Sequence, residues 1–270
     1  MKIAMIQIQS SDTLEKNLEK MKQFVVKAKE QGSHLAVFPE MAYFTSKQEG
    51  TLKVIPKYAE LCQLFQSWAQ EHQIALIPGT LREPVPGEQN RFFNTLLFIG
   101  PDGRLMGKYQ KIFRFKANLP HHTYDEGRFC EAGKKTVVCN FMGWTLGFAI
   151  CFDLRFPELF RSLRKQGARV FILPAAFTVP TGEAHWEVLL RARAIENQSY
   201  LIAPDQTLMS GEGLPQYGHS LAVGPWGEIL ASQKTDEGMS LIELSHDKVQ
   251  AVESKVAAWE SRNEALFPTT

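Results

Sequence analysis

The chain has 270 residues, 44% hydrophobic and 22% charged, and 30 Lys+Arg against 29 Asp+Glu leave a formal net charge of +1. That is the balance of a soluble globular protein of one large or two ordinary domains, and it argues against nucleic acid or an anionic membrane as the main partner. No stretch reaches the roughly 20 apolar residues of a membrane helix, and Cys62, Cys130, Cys139 and Cys151 show no C-x-x-C spacing and no paired histidine ligands, which speaks against zinc, thioredoxin-type redox chemistry and a disulfide framework.

The N-terminal "MKIAMIQIQSSDT" carries too short an apolar run for a signal peptide and alternates as a strand does, so the cytoplasm is the expected compartment. Next, "TLEKNLEKMKQFVVKAKEQG" places Leu14, Leu18, Met21, Val25 and Ala28 at helical spacings, with Gly32 as the stop. "HLAVFPE" reads as a short buried strand, and "PKYAELCQLFQSWAQEHQ" repeats the helical period through Leu61, Leu64, Phe65 and Trp68. "IALIPGT" and "FFNTLLFIG" are strands, and "PDG" at 101–103 is a turn. The second half runs similarly: a strand at 145–152, a helix from about 157, the strand "ARVFILPAA", a helix at 184–198, the strand "YLIAP", the hairpin "SLAVGPWGEILAS" and the strand "SLIEL". This alternation predicts an α/β layer architecture. The polar connection 102–135 has little periodicity, and a segment of that length inside a compact domain is more often functional than idle.

Three polar residues sit where the patterning predicts core. Glu40 closes "LAVFPE", Lys111 lies in "GKYQKIFRF" between a hairpin arm and aromatic residues, and Cys151 closes "WTLGFAI". Each follows a strand-like run, and open α/β sheets place ligands beyond those ends. Taken singly, they fit a buried Glu–Lys ion pair near a core thiol, since free cysteine is commonly buried. Together they fit chemistry better. Burying a carboxylate and an ammonium costs several kcal/mol each before pairing, so a core gains little from them. An unperturbed thiol, with a pKa of about 8.5, is only a few per cent thiolate at neutral pH. A nucleophilic cysteine therefore gains from a carboxylate that accepts its proton and an ammonium that stabilises the oxyanion. The helix expected just after Cys151 would also favour its thiolate.

"FPE" at 38–40, "GKYQK" at 107–111 and "CFDLRFPEL" at 151–159 resemble the three signature blocks of the nitrilase superfamily of carbon–nitrogen hydrolases. "FNTLLFIGPDG", "HWEVLLRARAIENQSYLIAP" and "GHSLAVGPWGEIL" are similar to further stretches of that family, so the likeness runs in order along nearly the whole chain. The resemblance implies a single domain over residues 1–270, an α-β-β-α sandwich of the nitrilase type. It implies a Glu–Lys–Cys triad at Glu40, Lys111 and Cys151, with Phe152 contributing a backbone N–H to the oxyanion and with no metal, nucleotide or organic cofactor. A second glutamate follows the lysine in the family, and "TYDEGRFCEAG" offers Glu126, with Asp125 and Glu131 as competing candidates. Two departures stand out: Phe113 replaces a common histidine after the lysine, and Phe152 replaces a common tyrosine after the cysteine.

"CFDLRFPEL" and "HWEVLLRARAIENQ" most resemble small amidases acting on ω-amides of dicarboxylates and on deaminated glutathione, and "ESRNEALF" is similar to the C-terminal segment of ω-amidases. The implied partner is a small carboxylate-bearing amide, hydrolysed with release of ammonia through a cysteine thioester. Arg155 is the cation nearest the nucleophile in sequence; its alternative role is an ion pair with Glu158. Loops 113–125 and 207–217 would shape the substrate pocket. Competing readings are a nitrilase or N-carbamoyl amide hydrolase with the same triad, and a non-catalytic binding protein on this fold. A thiol peroxidase is disfavoured because no cysteine is placed to resolve it. Structural roles are expected for His185 and Trp186 as helix anchors, for Arg191 and Arg193 in ion pairs, and for Cys62 in the core, with His121 and His122 solvated. The helix "PELFRSLRKQG" carries Leu159, Phe160 and Leu163 on one face. That face packs on its own sheet or, as the resemblance implies, pairs subunits in a homodimer or larger assembly.

Overall fold

The structure is a computed structural model that describes residues 1–45, 58–88, 90–119, 122–207, 215–263 and 266. His121, the side chain of His122, the 208–214 part of the second pocket loop and part of "ESRNEALF" lie outside the described residues.

The first half builds one sheet. Strand β1 (Lys2–Gln7) leads into helix α1 (Leu14–Glu30), which buries Met21, Val25 and Ala28 at the predicted spacing and ends before Gly32, whose φ is +73°. Strand β2 (Leu35–Val37), helix α2 (Tyr58–His72) and strand β3 (Ala75–Ile77) follow. β1, β2 and β3 run parallel and their central residues are buried on both faces, which is why they read as continuous apolar runs rather than alternating ones. Antiparallel strands β4 (Thr80–Pro84), β5 (Phe92–Ile99) and β6 (Leu105–Gln110) extend the sheet.

The connection that lacked periodicity is not an irregular loop. It carries β6, the hairpin β7 (Lys116–Leu119) and β8 (His122–Asp125), and the short β9 (Cys130–Glu131), which pairs with β5. These strands are short, and their buried residues Tyr109 and Cys130 follow no common period, so no apolar alternation marks them.

The second half repeats the scheme. Strands β10 (Val138–Phe141) and β11 (Trp144–Phe148) precede helix α3 (Pro157–Lys165), and strand β12 (Val170–Ile172) precedes helix α4 (Val179–Asn197). α3 opens with Pro157 and Glu158 in its first turn and ends on Arg164 and Lys165, the arrangement that suits the helix dipole. Strands β13 (Tyr200–Ala203), β14 (Leu221–Val223) and β15 (Ile229–Ser232) complete a second sheet in the order β10-β11-β12-β13-β14-β15, with β11, β12 and β13 parallel. Strand β16 (Gly238–Glu243) returns to pair with β1, and helix α5 (His246–Lys255) follows it.

One core cluster lies between the sheets, joining Ile3, Val37 and Phe98 of the first to Leu146, Val170 and Ile202 of the second. A second cluster packs α1 and α2 on the outer face of the first sheet, and α3 and α4 cover the second. The layers are therefore α-β-β-α, as the resemblance implied. Leu159, Phe160 and Leu163 are buried in their own chain, with Phe160 set edge-on to Phe171 at 5.2 Å. The α3 apolar face thus packs on its own sheet, its residues filling the gap between helix and sheet.

Candidate active site

Glu40, Lys111 and Cys151 each follow a strand, β2, β6 and β11 respectively, and the sandwich brings the three ends together. Beyond β2 the chain turns at Met41, whose φ is +53° and whose N–H donates to Thr80 Oγ1 at 3.1 Å. Glu40 itself donates its N–H to Ala175 O in the other sheet at 3.3 Å, while Gln206 Nε2 donates to Glu40 O at 3.0 Å. Gly79 is required beneath this turn: a Cβ there would lie 1.9 Å from Pro39 O. Lys111 donates its N–H to Asn94 O at 2.9 Å, and the N–H of Gly133 donates to Lys111 O at 2.8 Å. Gly133 is held to glycine by the same contact, since its Cβ would fall 2.1 Å from Gln110 O.

Lys111 Nζ donates to Glu40 Oε1 at 3.2 Å and to Glu126 Oε1 and Oε2 at 3.1 and 2.9 Å. Asn94 Nδ2 donates to the same Glu40 oxygen at 2.6 Å, and Phe115 N–H donates to Glu126 Oε2 at 2.7 Å. Burial opposes the lysine's charge, but Glu126, Glu40 and Cys151 outweigh it and hold the ammonium pKa well above its ordinary value. Of the three acidic candidates after the lysine, Glu126 is the one delivered to it. Asp125 caps Gly127 N–H and pairs with Lys116, and Glu131 pairs with Arg91.

Cys151 begins a short 3-10 turn over Cys151–Arg155, just beyond β11. Its φ of +46° is unusual for a residue with a side chain, a strain that functional sites tend to retain. Its N–H donates to Pro174 O at 3.0 Å, and the N–H of Phe152 makes no hydrogen bond within the described residues. The expectation that a helix start would favour the thiolate is not met. Burial and then the Glu40 carboxylate push the thiol well above its ordinary pKa, and Lys111 and the Ala176 N–H only partly offset them. The sulfur therefore rests protonated and must lose its proton as it attacks.

A second cysteine feels the same charges. Cys130 is fully buried and its thiol is pushed up to about 12, chiefly by burial and then by Glu126. Cys151 retains 8% exposure against 0% for Cys130.

Arg155 stands at the end of the Cys151 turn. Its guanidinium lies 5.6 Å from the Phe152 ring centre and 5.5 Å from that of Phe177, and Nη1 is 3.3 Å from His185 Nδ1. The pair with Glu158 is not formed among the described contacts. Burial lowers the Arg155 pKa and Cys151 is the group that raises it, with no carboxylate contributing. Around it, Phe113 stacks on Phe156 at 3.6 Å, and Phe152 sits edge-on to Phe115 and Phe156. The Phe113 that replaces a histidine is thus packing, and so is the Phe152 ring.

Trp186 is buried as expected, but His185 on the same helix is exposed and turned to Arg155. Arg193 pairs with Glu196 and donates to Leu154 O, and Arg191 pairs with Glu187. Sequence reasoning missed Asn94, Gln206 and His185. A polar residue inside the apolar "FFNTLLFIG" was a signal for Asn94; the other two acquire their roles only through contacts distant in sequence. Among the described residues, no group of three or more His, Cys, Asp or Glu side chains is placed to hold a metal ion, and no helix is long and apolar enough to cross a membrane.

The sequence profile of the family described as carbon–nitrogen hydrolase matches residues 2–254. A deaminated glutathione amidase of Synechocystis sp. is 36% identical over 263 residues, covering 96% of this chain and 97% of the relative. The human omega-amidase is 30% identical over 272 residues, covering 98% and 96%. Among solved structures, the NitFhit protein of C. elegans superposes with a TM-score of 0.90 at 32% identity, covering 99% of this chain, which spans 66% of that longer one. A Saccharomyces cerevisiae member of branch 10 of the nitrilase superfamily gives a TM-score of 0.84 at 28% identity, covering 95% and 94%.

Proposed function

Because the chain belongs to the carbon–nitrogen hydrolase family, and amide hydrolysis is its chemistry, we propose that its substrate is a small terminal amide carrying a distal carboxylate, with Cys151 as nucleophile. The observation that carries the substrate class is Arg155: a guanidinium beside the nucleophile, cradled by Phe152 and Phe177, with His185 and no carboxylate as its polar neighbour among the described residues. A carboxylate placed there would make a charge-assisted contact beside two aromatic rings. Relatives named as a deaminated glutathione amidase and an omega-amidase are in keeping with this class.

The chemistry proposed for these residues runs as follows. The Cys151 sulfur attacks the amide carbon as Glu40 takes the thiol proton, which the raised thiol pKa makes necessary. The oxyanion forms between Lys111 Nζ and the free N–H of Phe152. Glu40 gives its proton to the departing nitrogen, ammonia leaves, and a thioester remains. Water then attacks the thioester with Glu40 as base, and the carboxylic acid product and the thiol are released. Glu126 takes no proton in this scheme; it holds Lys111 between two carboxylates.

We read residues 1–270 as one domain, on the core shared by the two sheets. A homodimer is also proposed, through α4 and its surroundings rather than α3, because Val188, Ile195 and Trp226 expose 68%, 48% and 54% of their surface. Four free thiols favour a reducing compartment, the cytoplasm. The test is ammonia release from succinamate, glutaramate, their 2-oxo analogues, deaminated glutathione, N-carbamoyl amino acids and simple nitriles, with the distal carboxylate free or esterified. Equal turnover of acid and ester would overturn the substrate class.

A further inference from the structure

Asp153 lies two residues past the proposed nucleophile and is fully buried. Its carboxylate gathers three donors from two separate segments. Tyr109 Oη donates to Oδ2 at 2.7 Å and Phe113 N–H to Oδ1 at 2.9 Å, while Ile150 N–H donates to Oδ2 at 2.9 Å. Tyr109 and Phe113 bracket Lys111, two residues to either side of it, and Ile150 immediately precedes Cys151. One side chain thus ties the lysine-bearing segment to the turn that holds the sulfur, across the gap between the two sheets.

We propose that Asp153 is a positioning residue that sets the separation of Lys111 from Cys151, and that it does so only as a carboxylate. The inference rests on the amide-hydrolase reading of this site. All three bonds use the carboxylate as acceptor: a proton on Oδ1 sets a donor against the Phe113 N–H, and a proton on Oδ2 obliges Tyr109 Oη to turn from donating to accepting. Lys111 would then lose part of its hold on the position where the oxyanion forms, with no change in what touches the substrate. The titratable groups facing Asp153 are Tyr109 and, further off, Lys111; Arg193 of α4, packed behind the turn, donates to Leu154 O instead. Burial raises the Asp153 pKa to about 6, against the lowering effect of the bonds from Tyr109, Phe113 and Ile150. The clamp should therefore loosen as pH falls through about 6.

The test is the pH profile of kcat/KM for ammonia release in the wild type, Asp153→Asn and Tyr109→Phe, with circular dichroism to confirm folding. The wild type should show an acid limb near pH 6. Asp153→Asn should lower kcat about 10–100-fold with KM unchanged, the scale of a small misplacement of catalytic groups, and should lose that limb. Should Asp153→Asn fail to fold, Tyr109→Phe decides alone. It keeps the carboxylate but removes a bond that lowers its pKa, so the limb should move to higher pH. An unmoved limb in Tyr109→Phe, or a limb near pH 6 surviving in folded Asp153→Asn, overturns the proposal. A wild type inactive on every amide refutes instead the functional reading beneath it.

Discussion

Replacing Lys111 with methionine removes the cation that sits between Glu40 and Glu126. All three side chains are nearly enclosed, at 2%, 7% and 10% exposure. Methionine fills a similar volume, so the effect comes from charge: two carboxylates remain in low dielectric with no counter-ion. Breaking a buried pair in this way costs about 3–5 kcal/mol, a large part of the roughly 5–15 kcal/mol that holds a domain folded. At about 2–4 °C per kcal/mol for a chain of similar size, the melting temperature should fall by on the order of 10 °C. Removing one oxyanion partner should also cost about 10²–10³ in kcat. The double variant Lys111→Met/Glu126→Gln separates the two effects. It removes one orphaned charge, so much of the melting temperature should return while kcat stays low. Differential scanning fluorimetry and ammonia release measure both. A folded Lys111→Met protein with near-native kcat would refute the role given to this lysine.

Cys151→Ala should abolish turnover whereas Cys130→Ala should retain it, read by ammonia release; the reverse would place the nucleophile on β9. Glu40→Gln keeps the bonds from Asn94 and Lys111 but removes the base, so kcat should fall by about 10²–10⁴, with single-turnover kinetics showing slow acylation. Arg155→Met should raise KM for carboxylate-bearing amides about 10–100-fold, the equivalent of one charge-assisted bond of about 1.5–3 kcal/mol, and leave esterified substrates unaffected. For Asp153 the folded pKa of about 6 lies above the ordinary 3.8, so the folded state binds the extra proton between those values and the group's contribution to stability falls as pH rises through them. At about 1.4 kcal/mol per pKa unit, and with part of the swing already spent below pH 4, the stability of the wild type relative to Asp153→Asn should drop by about 2 kcal/mol between pH 4 and 7, measured by urea unfolding.

The sequence by itself determined the alternation of strands and helices, because local physics carries it, while the α-β-β-α stacking of the layers was implied by the family resemblance. The helical spacing of Met21, Val25 and Ala28 and the unbroken apolar runs at 35–37 and 170–172 follow from burial on one helix face or on both faces of a parallel strand. It also placed Glu40, Lys111 and Cys151, since a charged residue or reactive thiol at the end of a buried run is a conflict visible without coordinates. Other features were not legible. The strands of 105–131 left no periodic mark because they are short and their buried residues, Tyr109 and Cys130, follow no common period. The choice of Glu126 over Asp125 and Glu131 depended on a single 3-10 turn that points one carboxylate at Lys111 and leaves its neighbours to Lys116 and Arg91. The direction of the Cys151 shift was misjudged for a similar reason: a helix start is local and predictable, but burial and the Glu40 charge arise from chain more than 100 residues away. Asn94, Gln206 and the Asp153 clamp likewise act between segments that only packing makes neighbours. Desolvation and hydrogen-bond geometry are properties of the assembled sandwich, so only the tertiary structure could decide them.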